Sequence, residues 1–153
     1  MLVSPFPMKH KVEFASHTAN LSMVRRIVRQ FMEDFHFTSK EVELMVLGVD
    51  EACTNIIRHV YKHEATHLIG LACERLENGV RFRLRDYGPQ MPEPHRLSGR
   101  PLDVVQPGGL GLHLIRSAFD HVDFHSKEKG TELVLTKHFA GQGNNNHHRH
   151  QAA

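Results

Sequence analysis

The sequence has only two cysteines, Cys53 and Cys73, set in apolar surroundings without a CxxC spacing. That excludes a disulfide framework and a cysteine zinc site, and a reducing compartment fits best. Long apolar runs are missing as well: none reaches the roughly 18 residues of a membrane span. The start MLVSPFPMKH has no charged beginning followed by an apolar stretch, as an export signal requires. The expectation is a cytoplasmic chain, neither exported nor inserted in a membrane. Excess charge of one sign is absent too. With 24% charged residues and a formal charge of +2, nothing supplies the positive field that holds proteins on nucleic acid by counterion release, so no direct nucleic-acid contact is expected. No internal repeat is visible. What is present is an ordinary globular composition, 40% hydrophobic over 153 residues, enough for one core without disulfides or metal.

The periodicity divides the chain into an N-terminal extension (residues 1–11), a folded unit (12–139) and a polar tail (140–153). Val12 to Ala15 suits an edge strand. His17 to Phe35 repeats apolar residues at three- and four-residue steps (Leu21, Val24, Ile27, Val28, Phe31, Phe35), which predicts a helix with one buried face. Thr38 and Glu41 have capping-box spacing and open a second helix, Lys40 to about Tyr61, with Val42, Met45, Val49, Ala52, Ile56 and Val60 inward. HLIGLACERL and GVRFRLRDY, split by Glu77-Asn78-Gly79, read as a hairpin. Pro89 to Gly108 holds five prolines and little periodicity, the pattern of a functional lid or a disordered segment. Gly109 to Asp120 predicts a third helix, followed by strands at about His121–Ser126 and Thr131–Phe139 around Glu128-Lys129-Gly130. The order is βααββαββ. The tail has almost nothing to bury and is expected to be disordered, and its His147, His148 and His150 have no metal-site spacing with other ligands.

Four segments carry groups suited to chemistry. In the second helix, with Glu51 at zero and about 100° per residue, Asn55 lies near about 40° and Arg58 near about −20°, opposite Val49, Ile56 and Val60. The same face carries Leu44 and Leu47 earlier, so it changes from apolar to polar along its length. A wall partly covered by protein and partly open to a ligand has that character; a helix surface with incidental Glu and Asn is the other reading. Asp86-Tyr87-Gly88 falls where the second hairpin strand stops. An acceptor there, followed by glycine, suits an exocyclic amino group such as that of adenine, and it is also common turn chemistry. Pro107-Gly108-Gly109-Leu110-Gly111-Leu112 leads into a helix, where free N–H groups at the positive end of the dipole form a phosphate cradle or simply a cap. It is not a Walker A loop, since no Gly-Lys-Ser/Thr follows, nor a dinucleotide fingerprint, since the third glycine is missing. Lys129-Gly130-Thr131 by itself is a hairpin turn.

In this order the four segments resemble the N, G1, G2 and G3 boxes of the GHKL superfamily, which includes gyrase, histidine kinases and mismatch-repair ATPases. The layout is most similar to that of the anti-sigma factor serine kinases: Glu-Ala-x-Thr-Asn with His59 and Tyr61, then Asp-x-Gly, Gly-Leu-Gly and Gly-Thr, over about residues 10–139. The resemblance implies an α/β (α+β) fold, a two-layer α/β sandwich of the histidine kinase-like ATPase type with helices on one face of a mixed sheet. It implies ATP and Mg²⁺ as cofactors. Glu51 would be the catalytic carboxylate, as general base or water-orienting group, and Asn55 the Mg²⁺ ligand. Asp86 would accept from adenine, and Gly88 would let the base pack closely. Gly109 and Gly111 would let the lid and its helix approach the phosphates, and Thr131 would support the adenine end by a hydrogen bond. The implied activity is a serine/threonine kinase that phosphorylates an anti-sigma factor antagonist in a partner-switching pathway, with a sigma factor as a further partner and a homodimer as the family's habit. The alternative is a non-catalytic regulator that uses nucleotide only to shape a binding surface. A histidine kinase is not expected without a preceding phosphoacceptor helix pair, nor a gyrase-like enzyme without a transducer domain. Two positions depart from the pattern: Gln90 stands where a second glycine is frequent, and Val60 where Gly or Ala precedes the tyrosine. His63, His67, His113, His121 and His125 are scattered and are expected at ordinary surface positions.

Overall fold

The computed structural model describes residues 9–89 and 109–141. The chain runs β1 (Lys9–Ala15), α1 (Leu21–Met32), α2 (Ser39–Asn55), β2 (Leu68–Arg75), β3 (Gly79–Arg85), α3 (Gly109–Ala118), β4 (His121–Ser126) and β5 (Thr131–His138). This is the expected order. β1 begins three residues before the expected strand, and the first helix is shorter than His17–Phe35. A 3₁₀ turn at Thr18–Asn20 precedes α1, held by His17, whose Nδ1 accepts from the Ala19 N–H at 2.9 Å. Phe35 lies beyond the helix but still packs, its ring 5.2 Å from Phe31 and 5.9 Å from Phe139. The capping box forms as read: Thr38 Oγ1 accepts from Glu41 N–H and Glu41 Oε1 from Thr38 N–H, both at 3.1 Å.

The sheet order is β1-β2-β3-β5-β4, and every neighbouring pair is antiparallel. The expected mixed sheet is therefore corrected. β3, α3 and β4 make a crossover of the kind that produces parallel neighbours, but the β4–β5 hairpin folds β5 back between β3 and β4. That insertion separates β3 from β4, which run parallel to each other.

Alternation sends Phe14 of β1, Ile69, Leu71 and Cys73 of β2, Val80, Phe82 and Leu84 of β3, and Leu133 and Leu135 of β5 into one core. Val24, Val28 and Met32 of α1, Met45, Val46, Val49, Ala52 and Cys53 of α2, and Ile115 and Ala118 of α3 meet them from the helical layer. Phe82 is fully buried at the centre, edge-on to Phe31 at 5.8 Å and to Phe119 at 5.9 Å. The alternate residues of β3 are Arg81, Arg83 and Arg85. Arg83 bridges Glu74 of β2 at 2.9 Å and Glu132 of β5 at 3.0 Å, an opposite-charge ladder across three strands. α2 and α3 pack closely because Gly48 has no side chain: a Cβ there would lie 2.9 Å from the Phe119 ring and 3.3 Å from Ala118 Cβ. Among the described residues no helix is long and apolar enough to cross a membrane.

Candidate functional site

The site is built around the last turns of α2. Its hydrogen bonding changes after Asn55, where Ile56–Val60 form a π-turn and the Tyr61 N–H reaches back five residues to Ile56 O at 3.0 Å. Such turns insert a residue into the helical repeat and are frequent at functional sites. The 100° wheel therefore holds for Glu51 and Asn55, which stand one turn apart and are both half-buried, but not for Arg58 and His59 beyond it. Arg58 is exposed and His59 half-buried. Burial lowers the His59 pKa, and the nearby Arg58, Lys62 and His63 charges lower it further. After the π-turn Lys62 and His63 both have positive φ, 52° and 65°, a pair of left-handed residues that is uncommon without glycine.

Glu51 and Gly111 are brought together. A Cβ on Gly111 would fall 2.1 Å from Glu51 Oε1, so the carboxylate occupies the space that any other residue's side chain would take. Asn55 Oδ1 is buried and, among the described residues, has no hydrogen-bond partner. An unpaired buried amide oxygen is costly, and an oxygen acceptor of this kind is a suitable ligand for Mg²⁺. Gly109 stands at the first position of α3, where N–H groups lack intrahelical partners.

The second group gathers at the end of β3. Asp86 is only 4% exposed; its N–H donates to Thr131 O at 3.0 Å, and its Oδ1 accepts from the Gly88 N–H at 3.2 Å. Burial raises its carboxyl pKa, against the lowering effect of the Gly88 and Thr131 N–H groups and the Arg85 charge. Thr131 Oγ1 is buried and unpaired among the described residues. Gly130 turns the β4–β5 hairpin with φ +80°, and a Cβ there would fall 2.1 Å from Asp86 O, which requires glycine on both counts. At Gly88 a Cβ would fall 2.4 Å from Val60 Cγ1 and 3.2 Å from the Tyr61 ring. The space left open at Gly88 is thus taken on that side by the chain's own α2 end, and the unusual Val60 is what takes it.

One contributor was named in the sequence only as part of the motif, with no role assigned to it. Tyr61 Oη donates to Leu68 O at 2.6 Å and accepts from the Tyr87 N–H at 2.8 Å, tying the end of α2 to the starts and ends of two strands. His67 stacks on its ring at 4.5 Å, and Arg85 lies over the Tyr87 ring at 4.5 Å. A cavity of about 650 Å³ opens at this end, its walls including Val60, Tyr61, Lys62, Tyr87, Gly88 and Lys129. The expected lid, Gln90 to Gly108, and the tail histidines lie outside the described residues.

The structure is thus a two-layer α/β sandwich in which the Asn55 amide oxygen, at the end of α2, and the Thr131 hydroxyl, at the start of β5, are buried without a hydrogen-bond partner among the described residues. The chain belongs to the histidine kinase-like ATPase domain family, whose model matches residues 14–137. It is 28% identical over 138 residues to the serine-protein kinase RsbW of Bacillus cereus strain B4264, covering 85% of this chain and 84% of that protein. The protein of the same name from strain AH187 is 32% identical over 110 residues, 67% of each chain, and that of Bacillus mycoides strain KBAB4 is 28% identical over 138. A crystal structure of the RsbU and RsbW domains of a Mycobacterium tuberculosis protein superposes with a TM-score of 0.64 at 16% identity. That match covers 88% of this chain and a third of the other, 33%, and it supports the fold alone.

Proposed function

We propose that the protein is an ATP-dependent protein serine/threonine kinase of the anti-sigma factor type, acting in the cytoplasm on an anti-sigma factor antagonist and binding partners in a switch that includes a sigma factor. The observation that carries this reading is the buried Asn55 Oδ1, unpaired among the described residues, one turn from the Glu51 carboxylate. The similarity to proteins named serine-protein kinase supports the reaction class. Mg²⁺-ATP, when bound, supplies the phosphoryl group for transfer. Asn55 would hold the metal through Oδ1, and Asp86 and Thr131 would face the adenine end, Asp86 through its buried carboxylate and Thr131 through its buried hydroxyl. Gly109 would offer backbone N–H groups at the start of α3 to the phosphates, whereas the Cβ spaces at Gly88 and Gly111 are taken by Val60 and by Glu51. Glu51 would take the proton of the incoming serine or threonine hydroxyl at a carboxylate oxygen. Phosphoryl transfer depends mainly on such positioning and on charge. A homodimer belongs to the same proposal.

The test is incubation of the protein, Mg²⁺ and γ-labelled ATP with partners captured from the native cell. Label on a serine or threonine of a captured antagonist is expected. Tight nucleotide binding with no label on any partner overturns the kinase and leaves a non-catalytic, nucleotide-dependent regulator.

A further inference from the structure

We infer that Gly111 is a positioning residue for Glu51: its missing side chain is the seat of the carboxylate, so the first turns of α3 fix where the base stands. The inference rests on the kinase reading of Glu51 only for its catalytic consequence; the seat itself rests on geometry. A Cβ at Gly111 would lie 2.1 Å from Glu51 Oε1 and 2.7 Å from both Cδ and Cγ, so the whole end of the side chain, not one atom, fills the space. Gly48 and Gly111 place the seat between two closely packed helices. Gly48 brings α3 onto α2 through Phe119 and Ala118, and Gly111 receives Glu51 of that same α2. The first contact sets the spacing of the helices, and the second uses it to hold a half-buried carboxylate. Gly111 lies within a helix with no positive φ, so backbone freedom does not explain a glycine there. Alanine is the better helix former. Room for Glu51 is what glycine provides. The atoms that would collide belong to the far end of a flexible side chain, so Gly111→Ala displaces the carboxylate and leaves the backbone in place.

This differs from a role in admitting phosphates. If Gly111 only let the helix approach phosphate, Gly111→Ala would weaken nucleotide binding and leave turnover at saturation alone. If it seats Glu51, nucleotide affinity holds and the rate falls. The experiment uses full-length protein in four forms: parent, Gly111→Ala, Glu51→Gln and the double variant. The ¹³C resonance of the Glu51 carboxyl, assigned by its loss in Glu51→Gln, is recorded without nucleotide. Affinity for ADP with Mg²⁺ is measured by calorimetry, and single-turnover phosphorylation of a captured antagonist from ATP gives the rate. The carboxyl resonance is expected to move in Gly111→Ala toward that of a free glutamate while ADP affinity stays within about twofold. The rate is expected to fall about 10²-fold, as in Glu51→Gln, with no further loss in the double variant, because both changes act through one group. An unmoved carboxyl resonance overturns the seat, as does a loss of ADP affinity with an unchanged saturated rate. Additive losses in the double variant overturn it too. If Glu51→Gln keeps the parental rate, the base assignment fails by itself, and the carboxyl resonance still decides the seat.

Discussion

Asp86 is kept where charge is disfavoured, and that has consequences with and without a ligand. Burial raises its folded pKa above the ordinary aspartate value. Between those two values the folded chain binds more protons than the unfolded one, so stability falls as pH rises through that window. Above the raised pKa the parent carries the full cost. Asp86→Asn, which has no charge to desolvate, is therefore expected to raise the thermal midpoint of the nucleotide-free protein at pH 7, with the gain shrinking as pH drops toward the ordinary aspartate value. The same change should weaken ATP binding by about 1.5–3 kcal/mol for a lost charge-assisted hydrogen bond, or about ten- to 150-fold. Melting curves across pH and calorimetry check the two halves separately; unchanged affinity removes Asp86 from the adenine end. The cysteines are a second residue-scale case. Burial pushes Cys73 up to about 12 and Cys53 higher, and only a thiolate reacts. Native protein at pH 8 is expected to resist thiol reagents until urea unfolds it, and rapid labelling of either cysteine would contradict their burial. Among the candidate residues, Glu51, Asn55 and Asp86 could be nominated from the sequence because their types and spacing have chemical meaning. Tyr61 could not be given a role, because its hydroxyl acts on two backbone groups, Leu68 O and Tyr87 N–H, that no sequence pattern brings together.

At the scale of elements, the end of α2 decides how the site is held. The π-turn over Ile56–Val60 delivers Tyr61 to the mouth of the β2–β3 hairpin and Val60 to Gly88. Tyr61→Phe keeps the ring but leaves a carbonyl and an N–H without their partner. If both stay dry, each costs about 1–3 kcal/mol. A drop of at least 1 kcal/mol in urea unfolding is expected, together with weaker nucleotide binding, because Tyr87 follows Asp86 directly. Unchanged nucleotide affinity alongside the stability loss would show that the tie holds the fold without shaping the site. The helices and both hairpins were readable from period and turn residues, and the Thr38–Glu41 cap from spacing alone. The π-turn was not, since an apolar run such as Ile56-Ile57 fits either helical repeat. The strand order was not readable either. Nothing local in Thr131–His138 says that β5 slips between β3 and β4; only the match of Leu133 and Leu135 to the core face of Leu84 and Phe82 does so.

Across the whole molecule, nucleotide binding and folding are one equilibrium, and this separates Asn55 from Glu51 without waiting for a partner. A ligand held only by the folded state stabilises it by about 2.7 kcal/mol at a hundred times its dissociation constant. Asn55 contributes an oxygen that is buried and unpaired among the described residues; removing it relieves a desolvated acceptor. Asn55→Ala should therefore unfold at the parental temperature or slightly above it without ligand, yet lose most of the additional stabilisation that Mg²⁺ gives over ATP alone. Glu51 is assigned to the incoming hydroxyl and not to the nucleotide. Glu51→Gln should show the full parental shift with Mg²⁺-ATP while transferring phosphate about 10²-fold more slowly. Melting curves for each protein, with no ligand, with ATP and EDTA, and with ATP and Mg²⁺, make the comparison. If Asn55→Ala keeps its Mg²⁺-dependent shift, the metal is held elsewhere. If Glu51→Gln loses the shift, the carboxylate belongs to nucleotide binding and the catalytic assignment falls with it.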